Sequence, residues 1–404
     1  MAVKVQYSDL RERFESDVGT CAAILDLIEV ISFYPKHLVR LYWNYFLFQS
    51  GFFSLLLQIM HPRFSFRWLL DELKDTMSRE LDFVEEGKNS EKCKKDLAHL
   101  KFIYVPGVLW SCTSKRILTT EFIEGTKISQ VTDLIESGLN LKTIGEYLLK
   151  TFAEQVFHTG FVHADPHPGN ILVRKNPNNK SDSQLVLLDH GLYESIPTDI
   201  RQPLARVWQA VVENDHHAMK KYSSLLGVDD YRLFCIALTQ RWIGAAPNDD
   251  DFLSNFLQSH GGVKGFSRKD FKKLPEEEKA KLRTAFRDIH DKMFDVFQNI
   301  PPRLVLVFRN LNIIRSIIKD HKTEVDRHQI MARSAVRGFF VKEDDAILNR
   351  ARGFIHLFIF DIRLLLDKTK IKIMSFGTKL LVLFGYMPSL EQIRESVTPD
   401  NENL

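Results

Sequence analysis

Three side chains in two short motifs set out the chemistry available to this chain. Asp165 and Asn170 share the run His163-Ala164-Asp165-Pro166-His167-Pro168-Gly169-Asn170, and Asp189 stands in Asp189-His190-Gly191 further on. An Asp and an Asn in one tight loop suit phosphoryl transfer, the Asp facing an attacking hydroxyl and the Asn facing a metal. A further Asp before a Gly, at the end of an apolar run, supplies the carboxylate that holds Mg²⁺ against nucleotide phosphates.

The elements between the motifs must bring them together. Ile171-Leu172-Val173 reads as a short strand. The cluster Pro177, Asn178, Asn179, Lys180, Ser181 and Asp182 reads as a turn. Leu185-Val186-Leu187-Leu188 then reads as a second strand that delivers Asp189. The result is a hairpin whose base places Asp165, Asn170 and Asp189 side by side. Asp-Pro and Pro-Gly-Asn are also ordinary loop punctuation, but loop, hairpin and carboxylate occur here in the order the chemistry needs.

A phosphate-contacting cation is expected opposite. Met1-Ala2-Val3-Lys4-Val5-Gln6 alternates like a strand, with Val3 and Val5 on one face and Lys4 on the other. Val-Ala-x-Lys on a strand is how kinase-like folds place such a lysine. Its partner should be a helix carboxylate. Leu70, Leu73, Met77, Leu81 and Val84 predict one helix from Trp68 to Leu100, on which Asp82 and Glu86 share a face. Arg116 to Ile123 reads as another strand ended by Glu124-Gly125. Glu121 to Ile123 is the candidate stretch for backbone contacts to an adenine edge.

Composition narrows the class. The chain has 404 residues, is 44% hydrophobic and 26% charged, and carries 55 basic against 52 acidic residues. That is the balance of a soluble globular protein rather than a disordered one, with no global field for nucleic acid. Cys21, Cys93, Cys112 and Cys235 are widely spaced and form neither a disulfide framework nor a zinc cluster.

These residues resemble the UbiB, or AarF-domain-containing, atypical kinase-like family, most closely its mitochondrial animal branch. Ala2-Val3-Lys4-Val5-Gln6, Glu80-Leu81-Asp82-Phe83 with Glu86, the His163–Asn170 loop and Leu188-Asp189-His190-Gly191-Leu192 carry the resemblance. It implies an α+β, two-lobed protein-kinase-like fold, with a small antiparallel-sheet lobe and a large, mostly helical one. It also implies that Lys4 pairs with Glu86 and orients nucleotide phosphates, and that Glu80 and Asp82 form the family's Glu-x-Asp element at the nucleotide. Asp165 would be the catalytic-loop Asp, and Asn170 and Asp189 the Mg²⁺ ligands. ATP and Mg²⁺ are the implied cofactors, and ubiquinone and mitochondrial lipid metabolism the implied setting.

Two departures shape the expected organisation. The family's Lys-x-Gly-Gln extension and Ala-rich phosphate loop would precede Lys4, and neither is in this sequence. Residues 1–125 therefore read as a partial small lobe, as in a shortened isoform or incomplete gene model. Residues 31–59 form an atypical insertion, and Leu41 to Met60 carries no charge. That run is long enough to cross a bilayer at about 1.5 Å per residue. Asn44, Gln49 and Gln58 dilute it, and its place between a strand and the helix docking on the same sheet favours an inserted apolar helix or translated intronic sequence. Such an insertion is expected to loosen the Lys4–Glu86 pairing.

Residues 126–340 read as the helical lobe, with helices near 142–159, 198–226, 229–243, 278–299 and 302–319. Leu304, Leu306, Val307, Leu311, Ile314 and Ile318 have core-facing spacing. No Ala-Pro-Glu motif follows Asp189, which disfavours peptide substrates. Residues 341–404 hold apolar and basic helices and a polar tail. Gly353 to Met387 reads either as helices completing the lobe or as an amphipathic segment for a lipid surface. Three functions fit: an atypical kinase or ATPase directed at a small molecule or lipid, a phosphotransferase of the aminoglycoside or choline kinase type, and a non-catalytic pseudokinase scaffold.

Overall fold

The computed structural model describes residues 1–7, 9, 13–14, 16–23, 81–241, 243, 275–340, 353–366, 369 and 373. The insertion 31–59, the run Leu41 to Met60, Glu80 and the tail 391–404 lie outside them. Two compact units divide the chain, residues 1–335 and 336–404.

In the first unit, β1 (Ala2–Val5) pairs antiparallel with β3 (Ile117–Thr120), Lys4 opposite Leu118. A four-stranded sheet follows in the order β2 (Ile103–Tyr104), β7 (Asn179–Leu187), β6 (Ile171–Asn176), β4 (Thr126–Lys127). β2 runs parallel to β7, while the β6–β7 hairpin and the β4–β6 pair are antiparallel. A third pair joins β5 (Phe161–His163) to β8 (Tyr193–Ser195).

The hairpin between the motifs is present but longer than its apolar core. Asn176 pairs with Asn179 across Pro177-Asn178, and Asn176 Oδ1 accepts the Asn178 N–H at 3.0 Å. Lys180, Ser181 and Asp182 therefore belong to β7 rather than to the turn. Their polar side chains are tolerated because this end of the hairpin is largely exposed.

The helix expected over Trp68 to Leu100 is corrected by its N-terminus. α1 spans Phe83–Asp96, and Asp82 lies outside it with extended backbone (φ −114°, ψ 98°). The Asp82 carboxylate accepts the Val84 N–H at 3.0 Å, satisfying a donor that the first turn leaves without a backbone partner. Asp82 and Glu86 thus do not share a helix face. The apolar periodicity runs through the cap and conceals it.

The helical layer holds α2 (Val131–Glu136), α3 (Leu141–Glu154), α4 (Thr198–Glu213), α5 (His216–Leu225), α6 (Tyr231–Thr239), α7 (Glu276–Asn299), α8 (Pro302–Asp320) and α9 (Arg327–Phe340). The span 198–226 is two helices, because Asn214 turns left-handed (φ 55°) and Asp215 caps the next. α3 buries Ile144, Leu148, Leu149 and Phe152, then runs into a π-helical turn, Gln155–Thr159. α8 buries Leu304, Val307, Leu311, Ile314 and Ile318 of the stripe its spacing predicts, while Leu306, one step round from Val307, is only half-buried.

In the second unit, residues 353–366 are helical, with Phe360 buried and Phe354, Phe358, Leu365 and Leu366 exposed. Among the described residues no helix is long and apolar enough to cross a membrane.

Candidate active site

Lys4 is the hinge of the site. Its Nζ lies 3.0 Å from both carboxylate oxygens of Glu86 and 3.1 Å from Asp189 Oδ2. Strand alternation turns Lys4 inward. Gln6, on the same side of the strand, donates to the Leu81 carbonyl at 3.2 Å and so ties the strand to the approach of α1. Phe83 places its ring 5.1 Å from the ammonium. The pair is closed, and residues 31–59, expected to loosen it, lie outside the described residues.

The three charges set one another's protonation. Burial opposes the charge on Lys4, but the Asp189 and Glu86 carboxylates outweigh it and hold its pKa above the ordinary lysine value. Burial, then the nearby charge of Asp189, raises Glu86 above the usual carboxylate range despite Lys4. Asp189 ends below that range. Burial would raise it, but the Lys4 charge and the Gly191 N–H, 3.0 Å from Oδ1, prevail.

The loop follows from what precedes it. Gly160 ends the π-helical turn at φ +69°, where an added Cβ would meet the Ile196 carbonyl at 2.7 Å. β5 then delivers His163, whose N–H donates to Gln155 Oε1 at 3.1 Å. His163 Nδ1 accepts the Asp165 N–H at 3.2 Å, so its proton sits on Nε2. Pro168–Asn170 forms a 3₁₀ turn in which His167 Nδ1 accepts the Gly169 N–H. The Asn170 carbonyl accepts the Leu188 N–H at 2.9 Å, closing the hairpin base beside Asp189.

His190 supports the other motif from beneath. Its Nε2 faces the Leu187 carbonyl at 3.2 Å and must donate, which leaves Nδ1 to accept from the Tyr193 hydroxyl at 2.8 Å. Burial lowers His163 to about 4 and His190 to about 3, so both are neutral at physiological pH. The His190 N–H also faces Glu86 Oε1 at 3.4 Å, and Asn89 donates to the His190 carbonyl at 3.1 Å. α1 thereby grips the Asp189 motif through two side chains.

A cavity of about 520 Å³ opens over these groups, and Lys4, Glu86, Asp165, Asn170 and Asp189 all line it. Its size is that of a small-ligand site. Among the described residues no three His, Cys, Asp or Glu side chains cluster to hold a metal unaided. The donors present are oxygens, the carboxylate of Asp189 and the amide of Asn170. That set fits Mg²⁺, which takes one or two carboxylates and completes its shell with water and substrate phosphates.

Glu121 and Ile123 are not brought to this cavity. The Glu121 N–H donates to the Gly107 carbonyl and its carboxylate accepts the Tyr104 hydroxyl at 2.6 Å, while Ile123 is buried. Several wall and support residues had no role assigned from the sequence: Gln6, Arg13, Phe14, Asp17 and Phe83 in the wall, and Gln155 and Asn89 around it. Gln6 alone was within reach, since strand period puts it beside Lys4.

Comparison with known proteins identifies the family. Residues 1–223 match the model of the ABC1 atypical kinase-like domain. The chain belongs to that family. A Dictyostelium discoideum relative named as a serine/threonine-protein kinase, abkD, is 31% identical over 384 residues, covering 95% of this chain and 47% of its own. AarF domain-containing protein kinase 1 of Mus musculus is 40% identical over 196 residues, covering 46% of this chain and 37% of its own. The chain thus spans about half the length, or less, of these curated relatives. A Mycobacterium tuberculosis structure solved with erythromycin aligns at TM-score 0.48 and 15% identity, over 83% of this chain and 71% of that one. Membership in the ABC1 family makes this an atypical kinase-like protein and sets aside the aminoglycoside or choline kinase type.

Proposed function

We propose that this chain binds a nucleoside triphosphate, ATP by resemblance, with Mg²⁺ in the cavity over Lys4, and passes its terminal phosphoryl group to a small or lipidic acceptor or to water. The observation that carries this is one ammonium, Lys4, held between Glu86 and Asp189 while Asp165 and Asn170 line the same cavity.

Each residue has a part in it. Glu86, only 2% exposed, aims the Lys4 ammonium, which meets phosphate oxygens. Asp189, held ionised by Lys4 and the Gly191 N–H, and Asn170 across the hairpin base would hold the metal. Bound there, Mg²⁺ would offset the charge on the phosphates. Asp165 orients the attacking hydroxyl or water and receives its proton. Asp82 acts through α1, as the cap of the helix that carries Glu86.

We read residues 1–125 as belonging to the small lobe, 126–340 as the large lobe and 341–404 as its C-terminal extension. Mitochondrial placement and a link to lipid or ubiquinone chemistry follow from the resemblance. A lipid surface has a physical counterpart in helix 353–366, where Phe354, Phe358, Leu365 and Leu366 are exposed although Phe360 is buried.

ADP release with and without Mg²⁺, for wild type and Asp165→Asn, tests the reading. The expected result is Mg²⁺-dependent release by wild type that falls by roughly a hundredfold in the variant. Nucleotide binding without release would favour the scaffold. No binding at all would overturn the proposal.

A further inference from the structure

α8 reaches the catalytic loop at two adjacent residues. Arg309 places Nη2 3.3 Å from Asp165 Oδ2. Its neighbour Asn310 is fully buried and donates from Nδ2 to the His163 carbonyl. Helix period sets these two residues about 100° apart on α8, so the helix meets the loop through two neighbouring side chains. Asn310 also interrupts a stripe of buried Val307, Phe308, Leu311 and Ile314, and its Oδ1 has no hydrogen-bond partner among the described residues. An amide in such a stripe carries a burial cost that an apolar residue would not. The contact to His163 is what it gains.

The loop is therefore held from three directions. The Gln155 side chain accepts the His163 N–H, the Leu192 carbonyl accepts the Ala164 N–H, and Asn310 takes the His163 carbonyl. Arg309 then acts on the Asp165 side chain itself. It engages one carboxylate oxygen, Oδ2, and so selects Oδ1 as the oxygen that meets an acceptor's proton. Arg309 is half exposed, so it acts at the rim of the site and not as part of the core.

We propose that Arg309 is a positioning residue for Asp165 and that Asn310 fixes the loop from which Asp165 projects, making α8 part of the active site. This rests on the phosphoryl-transfer reading for its consequence, though not for the tether itself. Rim placement makes Arg309 the better residue to change, because Asn310 variants can fail to fold.

The test compares wild type, Arg309→Gln and Arg309→Lys by amide hydrogen exchange over residues 163–170, by ATP–Mg²⁺ thermal shift, and by ADP release. Arg309→Gln should keep the nucleotide shift and the KM for ATP, lower kcat by roughly tenfold to a hundredfold, and speed exchange in the loop. Arg309→Lys, a point charge in place of a fork, should fall between. In a further variant, Arg309→Ala, added guanidinium should restore part of the lost turnover. Unchanged exchange in Arg309→Gln would overturn the tether, and unchanged kcat with a working wild type would overturn the positioning role. A wild type without a nucleotide shift would instead sink the phosphoryl-transfer reading and leave the exchange result to decide the tether.

Discussion

Lys4 and Glu86, 82 residues apart in the chain, meet through two contacts of 3.0 Å, one to each carboxylate oxygen. The partners differ in what they lose when separated. Glu86 is buried and would be left charged in a poorly solvated place, whereas Lys4 is 45% exposed and keeps Asp189.

Lys4→Met should therefore lower the melting temperature more than Glu86→Gln does. The double variant should be more stable than Lys4→Met alone, because it removes the stranded charge. The coupling should be on the order of 1 kcal/mol, small because solvent screens a half-exposed ammonium. Thermal melts of the four proteins, read as a double-mutant cycle, supply the number.

Gly160 tests the local geometry that launches the catalytic loop. Its left-handed backbone and the 2.7 Å approach of the Ile196 carbonyl leave no room for a Cβ. Gly160→Ala should cost about 1–3 kcal/mol in urea unfolding. A stable Gly160→Ala protein would mean the turn before β5 is not built this way.

Asp82 distinguishes a cap from a ligand. Asp82→Ala should lose about 1 kcal/mol of stability and Asp82→Ser much less, since serine also caps. If Asp82→Ser were as damaging as Asp82→Ala, the capping role would be wrong.

How far these features were legible depends on how local they are. The hairpin was readable because two apolar runs flank a cluster of turn formers within one short span. The Asp82 cap was not, because Leu81 and Val84 continue a helical period across it. Arg309 and Asn310 were invisible for a different reason. The Asn310–His163 bond joins residues 147 apart, and nothing in the local pattern of α8 says which loop it will meet. The overall α+β kinase-like class and the family came through motifs. Which residues support those motifs came only through the fold.

Acid should weaken the protein through His163. Burial holds its pKa at about 4, below the ordinary histidine value. The unfolded chain therefore binds a proton that the folded one refuses. The sign follows: this stability is fully present above the unfolded value and is lost as pH falls through the window toward about 4. The loss should be on the order of 3 kcal/mol. His163→Asn should show a flatter stability profile across that window, and an unchanged profile would assign the acid sensitivity elsewhere.

The lipid partner has its own test at helix 353–366. Phe358→Glu with Leu365→Glu should abolish flotation with anionic vesicles while leaving the melting temperature within error, because both side chains are exposed. Wild type that does not float, or a variant that floats equally well, removes the lipid-surface assignment.

Asp189 and Lys4 carry the proposed site for a nucleotide with Mg²⁺. The most direct measurement is the thermal shift of wild type and Asp189→Asn, titrated with ATP in the presence and absence of Mg²⁺. A ligand raises stability only by binding the folded state. Wild type should show a saturable, Mg²⁺-dependent rise that Asp189→Asn lacks. A rise of equal size in both proteins, or none in wild type at saturating ATP, would contradict it.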